Sequence, residues 1–147
     1  MQIKFKDILS LTNYFSWLCK KKLSNPVVPI FQKDEAISIA KEKLIKSGCS
    51  DENTTGIIEG ILDAELSGIK SHGFHYLPIY CNHLKIGKIN GNSHPSTEKI
   101  SNSALKVNAD NGFAHSGINK GLPILLEMCG KEGISSMSIY NSYNCGV

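Results

Sequence analysis

Apolar residues in the middle of the chain recur every three or four positions, which is the spacing of a helix with one buried face. This pattern predicts a helix over residues 34–47, ended by Gly48, and a second over 51–67. Ser50 precedes the second helix as a predicted N-cap, because its hydroxyl can accept a free N–H of the first turn. A third, shorter helix is predicted over 77–86. The apolar positions on the first two helices are Ile37, Ala40, Leu44, Ile45, Ile57, Ile58, Ile61 and Leu62.

The spacing of apolar residues changes after the third predicted helix. The turn-rich stretch KINGNSHP is followed by residues 104–109, where apolar and polar positions alternate as in a strand. A helix is predicted over 116–129, and we expect Gly121 and Pro123 to kink it or delay its start. A second strand is predicted over 134–140. The pattern thus places a helical part first and a β-sheet region after it.

The N-terminal segment FKDILSLTNYFSWLCKKK has an apolar stripe at helical spacing and predicts a surface helix. Two prolines in SNPVVPIF, residues 24–31, end that helix, since proline is disfavoured in a helix interior. The segment lacks the basic-then-apolar order and the small-residue cleavage site of a secretory signal. Residues 1–26 are therefore predicted to be a helical extension.

Composition indicates one globular domain, with cysteines that stay reduced in the cytoplasm. The chain has 147 residues, of which 41% are apolar and 20% charged. Its five cysteines are odd in number and never form CxxC, which argues against a disulfide framework. The net charge is only +3, and residues 20–22 are the single basic cluster. We expect no nucleic-acid partner and no membrane partner, since either would favour a broader basic face or a longer apolar run.

The stretch GIKSHGFHYLPIY places Ser71 and His72 side by side between Gly68 and Gly73. A hydroxyl beside an imidazole can be the working part of an active site, because neutral imidazole exchanges protons near neutral pH. The same two residues can also be ordinary structure, with Ser71 capping the third helix and His72 exposed in a turn. Residue types alone leave both interpretations open.

A metal site is the weaker chemical hypothesis. His72 and His75 form H-x-x-H, which could serve a metal-dependent hydrolase, but zinc needs a third or fourth ligand. His83, His94 and His115 are scattered, and we expect His83 to be a surface or half-buried residue. The chain contains no HExxH, no GxGxxG and no Walker A pattern, so no metal is expected.

A longer stretch, AELSGIKSHGFHYLPIYCNHLKIGKIN, resembles the signature of the type 2 malate/L-lactate dehydrogenase family, which includes ureidoglycolate dehydrogenases and 2,3-diketogulonate reductases. Two downstream segments, NADNGFAHSG and KEGISSMSIYNSYNCG, are similar to later family segments, so the resemblance covers about residues 27–147. Many matches in register are more specific than any single motif. The matching residues in the first stretch are Glu65, Leu66, Gly68, Ile69, Ser71, His72, Gly73, Leu77, Pro78, Tyr80, Gly87, Ile89 and Asn90.

The resemblance implies an oxidoreductase that transfers a hydride between NAD or NADP and a small 2-hydroxy or 2-oxo acid, working as a homodimer. It implies an α/β fold in which an N-terminal helical domain, residues 34–86, leads into a mixed β-sheet region beginning near residue 100. Residues 27–147 would form the N-terminal part of that fold, which is not a Rossmann fold. The absence of GxGxxG is therefore compatible with membership.

The resemblance also assigns site residues. His72 matches the family's acid/base at the carbonyl oxygen, Ser71 would orient it, and Tyr80 matches a substrate-site tyrosine. Tyr76 stands where the family usually has an arginine, and Asn144 where it usually has a histidine. Losing an arginine fork on a carboxylate weakens acid binding about 10- to 100-fold. Tyr76 and Asn144 can still contact a substrate, but the Asn144 amide cannot exchange a proton.

The chain ends at Val147, less than halfway through a typical family member, so the resemblance implies that most cofactor-binding residues lie beyond it. We expect residues 1–147 alone to bind NADH or NADPH poorly. An alternative function is a non-catalytic helical remnant that dimerises or binds an acid metabolite.

Overall fold

The computed structural model describes residues 2–4 and 30–143. Strand β1, Gln2–Lys4, pairs antiparallel with β2, Ile30–Gln32. The surface helix predicted in the N-terminal segment lies outside the described residues.

Three helices follow β2 and confirm the three helices predicted in this part of the chain. They are α1, Lys33–Lys46, α2, Asp51–Leu66, and α3, Leu77–Lys85. Ser50 caps α2 as predicted, with its Oγ accepting the Asn53 N–H at 3.4 Å. A glycine with positive φ follows each helix, at Gly48, Gly68 and Gly87, and allows the chain to leave the helical path without steric strain.

The second half of the described chain forms a mixed three-stranded sheet. Strand β3, Ser96–Lys99, pairs antiparallel with β4, Ala104–Asn108, and β4 pairs parallel with β5, Ser136–Tyr140. Strands β4 and β5 were predicted, but β3 was not. Its sequence STEK has no apolar alternation, and it joins the sheet through backbone pairing at an edge.

Helix α4, Ala114–Glu132, connects β4 to β5 and corrects one prediction. It starts two residues before the predicted residue 116 and continues through Pro123, so its start is not delayed. Pro123 is exposed, whereas Gly117 and Gly121 are buried and let the helix lie close to the sheet. Burying this face offsets the single backbone hydrogen bond that Pro123 cannot make.

The core has two parts. The larger lies among the first three helices and includes Phe113, and the smaller lies between α4 and the sheet around Val107. Contacts between α2 and α4 join the two parts. Within residues 2–4 and 30–143, no helix is both long and apolar enough to cross a membrane.

Candidate active site

Ser71 and His72 lie in the loop between α2 and α3. The Ser71 Oγ is 3.0 Å from the His72 Nδ1, with Ser71 exposed and His72 half-buried. Ser71 does not cap α3, because a 3₁₀ turn, Phe74–Tyr76, separates the pair from that helix. The Ser71 hydroxyl instead contacts Nδ1 of the His72 ring, so the other ring nitrogen, Nε2, is the one that can exchange a proton with a ligand.

Glu65 at the end of α2 holds this loop. Its Oε2 accepts the Phe74 N–H at 3.2 Å, and its Oε1 lies 3.7 Å from the Lys70 Nζ. A Cβ on Gly73 would collide with the same carboxylate, so only glycine fits there without movement. The loop is therefore tied to α2 directly beside His72.

A series of contacts between aromatic rings begins at His72. Its ring is nearly parallel to that of Tyr76, with an interplanar angle of 6° and centroids 6.1 Å apart. Tyr76 meets Tyr80 edge-on at 5.0 Å, and the buried Tyr80 meets Phe113 at 5.2 Å. The structure thus brings together four of the residues singled out from the sequence, namely Ser71, His72, Tyr76 and Tyr80.

Two further residues of this site were missed by the sequence reasoning. Tyr143, which follows β5, packs edge-on against Tyr80 with centroids 6.0 Å apart, and its hydroxyl lies 2.7 Å from the His83 Nδ1. His83 is half-buried, as predicted, but its partner was not foreseen. The sequence did hold one signal for His83, because a residue three positions after Tyr80 on α3 lies on the same face of the helix. We use the name aromatic row for His72, Tyr76, Tyr80, Tyr143 and His83.

The Tyr143 hydroxyl keeps its proton near neutral pH and can donate a hydrogen bond. Burial raises the pKa of this phenol above its ordinary value, and the neighbouring Tyr76 hydroxyl adds to the increase. The Lys88 Nζ lies 5.8 Å from the centroid of the Tyr143 ring and adds a positive charge beside the row.

The remaining candidates do not join the row. His75 is exposed, and no group of three His, Cys, Asp or Glu side chains within residues 2–4 and 30–143 could hold a metal ion. His72 and His75 therefore have no third ligand in this part of the chain. Asn144 lies outside the described residues.

Comparison with known proteins identifies the family of this chain. The sequence profile of the malate/L-lactate dehydrogenase family matches residues 31–147. The chain belongs to this family.

Several members of the malate/L-lactate dehydrogenase family are similar to the chain. The Delta(1)-pyrroline-2-carboxylate reductase 1 of Burkholderia ambifaria is 30% identical over 115 residues, which cover 78% of this chain and 34% of that protein. The malate dehydrogenase of Pyrococcus abyssi is 30% identical over 117 residues, covering 78% and 32%. The chain spans about a third of the length of these relatives.

Solved structures of family members share the fold. The delta1-piperideine-2-carboxylate reductase of Pseudomonas syringae superposes with a TM-score of 0.73 at 24% identity, covering 77% of this chain and 34% of that one. The malate dehydrogenase of Entamoeba histolytica gives a TM-score of 0.70 at 25% identity, covering 77% and 32%. The predicted α/β, non-Rossmann fold class is confirmed.

Proposed function

We propose that the chain is the N-terminal part of an oxidoreductase that transfers a hydride between NAD or NADP and a small acid. The acid carries a carboxylate next to the carbon that is reduced, as in a 2-oxo acid or a cyclic 2-imino acid. The observation that carries the proposal is the 3.0 Å contact between Ser71 Oγ and His72 Nδ1 in the loop that matches the family signature. The names of the relatives support the substrate class, since pyrroline-2-carboxylate and malate are both small carboxylic acids.

The proposed roles follow from the chemistry of reduction. When a hydride adds to a C=O or C=N carbon, the oxygen or nitrogen must gain a proton, and in this proposal His72 gives it from Nε2. In the reverse direction the same nitrogen takes the proton from the alcohol or amine. Ser71 holds the imidazole through Nδ1, so that Nε2 keeps one direction. Tyr76 and Tyr80 would contact the substrate beside it.

The described residues offer aromatic faces to a dinucleotide but no glycine-rich turn for its pyrophosphate. The half-exposed, nearly parallel rings of His72 and Tyr76 suit a planar nicotinamide ring, but the sequence has no GxGxxG turn for a pyrophosphate. A bound nicotinamide supplies the hydride. The family resemblance supports two further parts of the proposal. Most contacts to the cofactor come from segments other than those described, and the enzyme is a homodimer in the cytoplasm.

A chimeric enzyme tests the role of His72. Residues 31–147 would replace the matching third of the Burkholderia ambifaria reductase, and turnover of Delta(1)-pyrroline-2-carboxylate would be followed by the loss of NADH or NADPH absorbance. We expect His72→Ala to lower kcat roughly 10²- to 10⁴-fold, the contribution of a positioned acid/base. The matched control is His75→Ala, which removes an exposed histidine three residues away and should leave kcat nearly unchanged.

Two outcomes would contradict the proposal. If His72→Ala keeps near-normal turnover, the active-site interpretation of this loop is wrong. If the chimera folds, as judged by its thermal transition, but has no turnover before any mutation, the alternative is favoured, namely a non-catalytic remnant that dimerises or binds an acid metabolite.

A further inference from the structure

The aromatic row lacks a cationic fork for the carboxylate of an acid substrate. The members of the row are histidines and tyrosines, and the 147-residue sequence contains no arginine. The side chain that brings a positive charge to the Tyr143 ring is Lys88, whose Nζ is 5.8 Å from the ring centroid. Hydroxyl donors beside it can bind a carboxylate, because an O–H donating to a charged oxygen forms one of the stronger hydrogen bonds in proteins.

The Tyr143 ring is held in place by three aromatic contacts. It meets Tyr80, His83 and Phe113 edge-on, with centroids between 5.5 and 6.0 Å apart. Its backbone is fixed as well, since the Tyr143 N–H donates to the Gly112 carbonyl at 2.7 Å and its carbonyl accepts the Ala114 N–H at 3.1 Å. A hydroxyl on a ring held this firmly binds a ligand at little cost in side-chain entropy.

The rings of Tyr76 and Tyr143 contact the same side chain, since both meet the Tyr80 ring edge-on, with centroids 5.0 and 6.0 Å from it. Both tyrosines are only half-buried, so a small anion can reach them. The Tyr143 hydroxyl has a second neighbour, since the His83 Nδ1 is 2.7 Å from its oxygen. With a proton on Nδ1, His83 donates to that oxygen, and the phenolic O–H of Tyr143 is then directed to an acceptor other than His83.

We infer, resting on the proposed function, that the hydroxyls of Tyr76 and Tyr143 together bind the carboxylate of the acid substrate. His83 is a positioning residue that orients the Tyr143 hydroxyl. Both rings of the pair contact Tyr80, and the His72 ring is stacked on that of Tyr76. The carboxylate is thereby held next to the carbon whose oxygen or nitrogen His72 protonates.

Calorimetric titration of the 147-residue chain with oxamate, an unreactive analogue of a 2-oxo acid, tests this inference. We expect Tyr76→Phe and Tyr143→Phe each to weaken the Kd about 10-fold or more, as the loss of a hydrogen bond to a charged group does. Tyr140→Phe is the matched control, because this exposed tyrosine lies on β5 beneath Lys106 and outside the row. Oxamide, which has no carboxylate, should bind weakly and respond to none of the three changes.

The positioning role of His83 is tested by two substitutions at that residue. His83→Asn keeps an N–H donor near the place of Nδ1 and should retain oxamate binding, whereas His83→Leu should weaken it as much as Tyr143→Phe does. Thermal transitions of all variants show whether they fold. If Tyr143→Phe does not fold, the His83→Asn and His83→Leu pair decides the result.

The inference is overturned if the unmodified chain does not bind oxamate, or if a folded Tyr143→Phe variant binds it within a factor of two of the unmodified chain. These outcomes are separate from the test of the proposed function, which measures turnover after His72→Ala. Oxamate binding that depends on Tyr143, combined with normal turnover after His72→Ala, would remove the catalytic role of His72 and keep the carboxylate pair.

Discussion

At the scale of single residues, Asn53 connects three parts of the chain. This amide is 7% exposed on α2, and its Nδ2 donates to the carbonyls of Gly91 at 3.0 Å and Ser93 at 3.1 Å. Its Oδ1 accepts from the Ser116 Oγ of α4 at 2.9 Å. One buried side chain thus ties α2 to the turn before β3 and to the first turn of α4.

Asn53→Ala should lower the free energy of unfolding by about 2–4 kcal/mol, because each buried polar group left without a partner costs about 1–3 kcal/mol. Urea denaturation measures this change. Asn119→Ala is the matched control, since Asn119 is an exposed asparagine on α4, where alanine is well tolerated, and it should change stability by less than about 0.5 kcal/mol. Equal effects of the two substitutions would show that the Asn53 hydrogen bonds contribute nothing specific.

At the scale of elements, α4 lies close to the sheet because it has glycines on the face that meets it. A Cβ added to Gly121 would collide with the Met137 Sδ and stand 2.8 Å from the Val107 Cγ2. At Gly117 the nearest atom would be the Ile139 Cγ2, at 3.3 Å. Gly130, near the end of the same helix, has no atom within 4 Å of such a Cβ.

Gly121 and Gly130 are therefore predicted to respond in opposite ways to substitution by alanine. Gly121→Ala should destabilise the fold by about 1–3 kcal/mol, because overpacking forces the helix away from the sheet. Gly130→Ala should stabilise it by up to about 1 kcal/mol, because alanine has the higher helix propensity and space is available. Thermal or urea denaturation checks the signs, and stabilisation by Gly121→Ala would contradict the packing described.

At the scale of the whole molecule, His115 lies where the helical part meets the sheet part. Its side chain packs over Gly56 and Gly60 of α2, and a Cβ on Gly60 would stand 2.6 Å from the His115 Nε2. The His115 Nδ1 is buried without a hydrogen-bond partner among the described residues. Burial lowers the pKa of this imidazole below its ordinary value of 6.5, so the neutral ring is favoured in the fold.

This lowered pKa predicts that stability falls as the pH drops below about 6.5, the unfolded-state value. In that window the unfolded chain binds a proton that the folded chain does not, so acid favours unfolding, at most by about 1.4 kcal/mol per pH unit. The loss ends once the pH is below the folded pKa. Urea denaturation between about pH 5 and 7.5 measures the slope near the ordinary histidine value.

His115→Leu is the control for this pH dependence and should flatten the slope, because leucine has no proton to bind. Glu42 and Glu127, whose carboxyl pKa values are lowered by hydrogen bonds from Lys46 and Lys131, act only below their ordinary value of 4.5 and do not interfere. An unchanged slope in the leucine variant would place the titrating group elsewhere.

Local interactions explain what could be predicted from the sequence alone. The helices α1, α2 and α3 depend on apolar spacing, on the Ser50 cap and on glycines such as Gly48, all of which act within a few residues. The loop with Ser71 and His72 was recognised from a contiguous signature, and the family it indicated is confirmed. Their catalytic roles stay predictions.

Contacts between distant segments were decided only by the tertiary structure. The sequence shows no pattern at β3, since an exposed edge strand gains its stability from backbone pairing with β4. Helix α4 continues past Pro123 because burial against the sheet outweighs a local propensity. Tyr143 meets His83 across 60 residues of chain, which no local spacing can show. The residues that line the candidate site therefore follow from how the sheet returns the chain to α3, while the sequence by itself determined the loop on which that site is built.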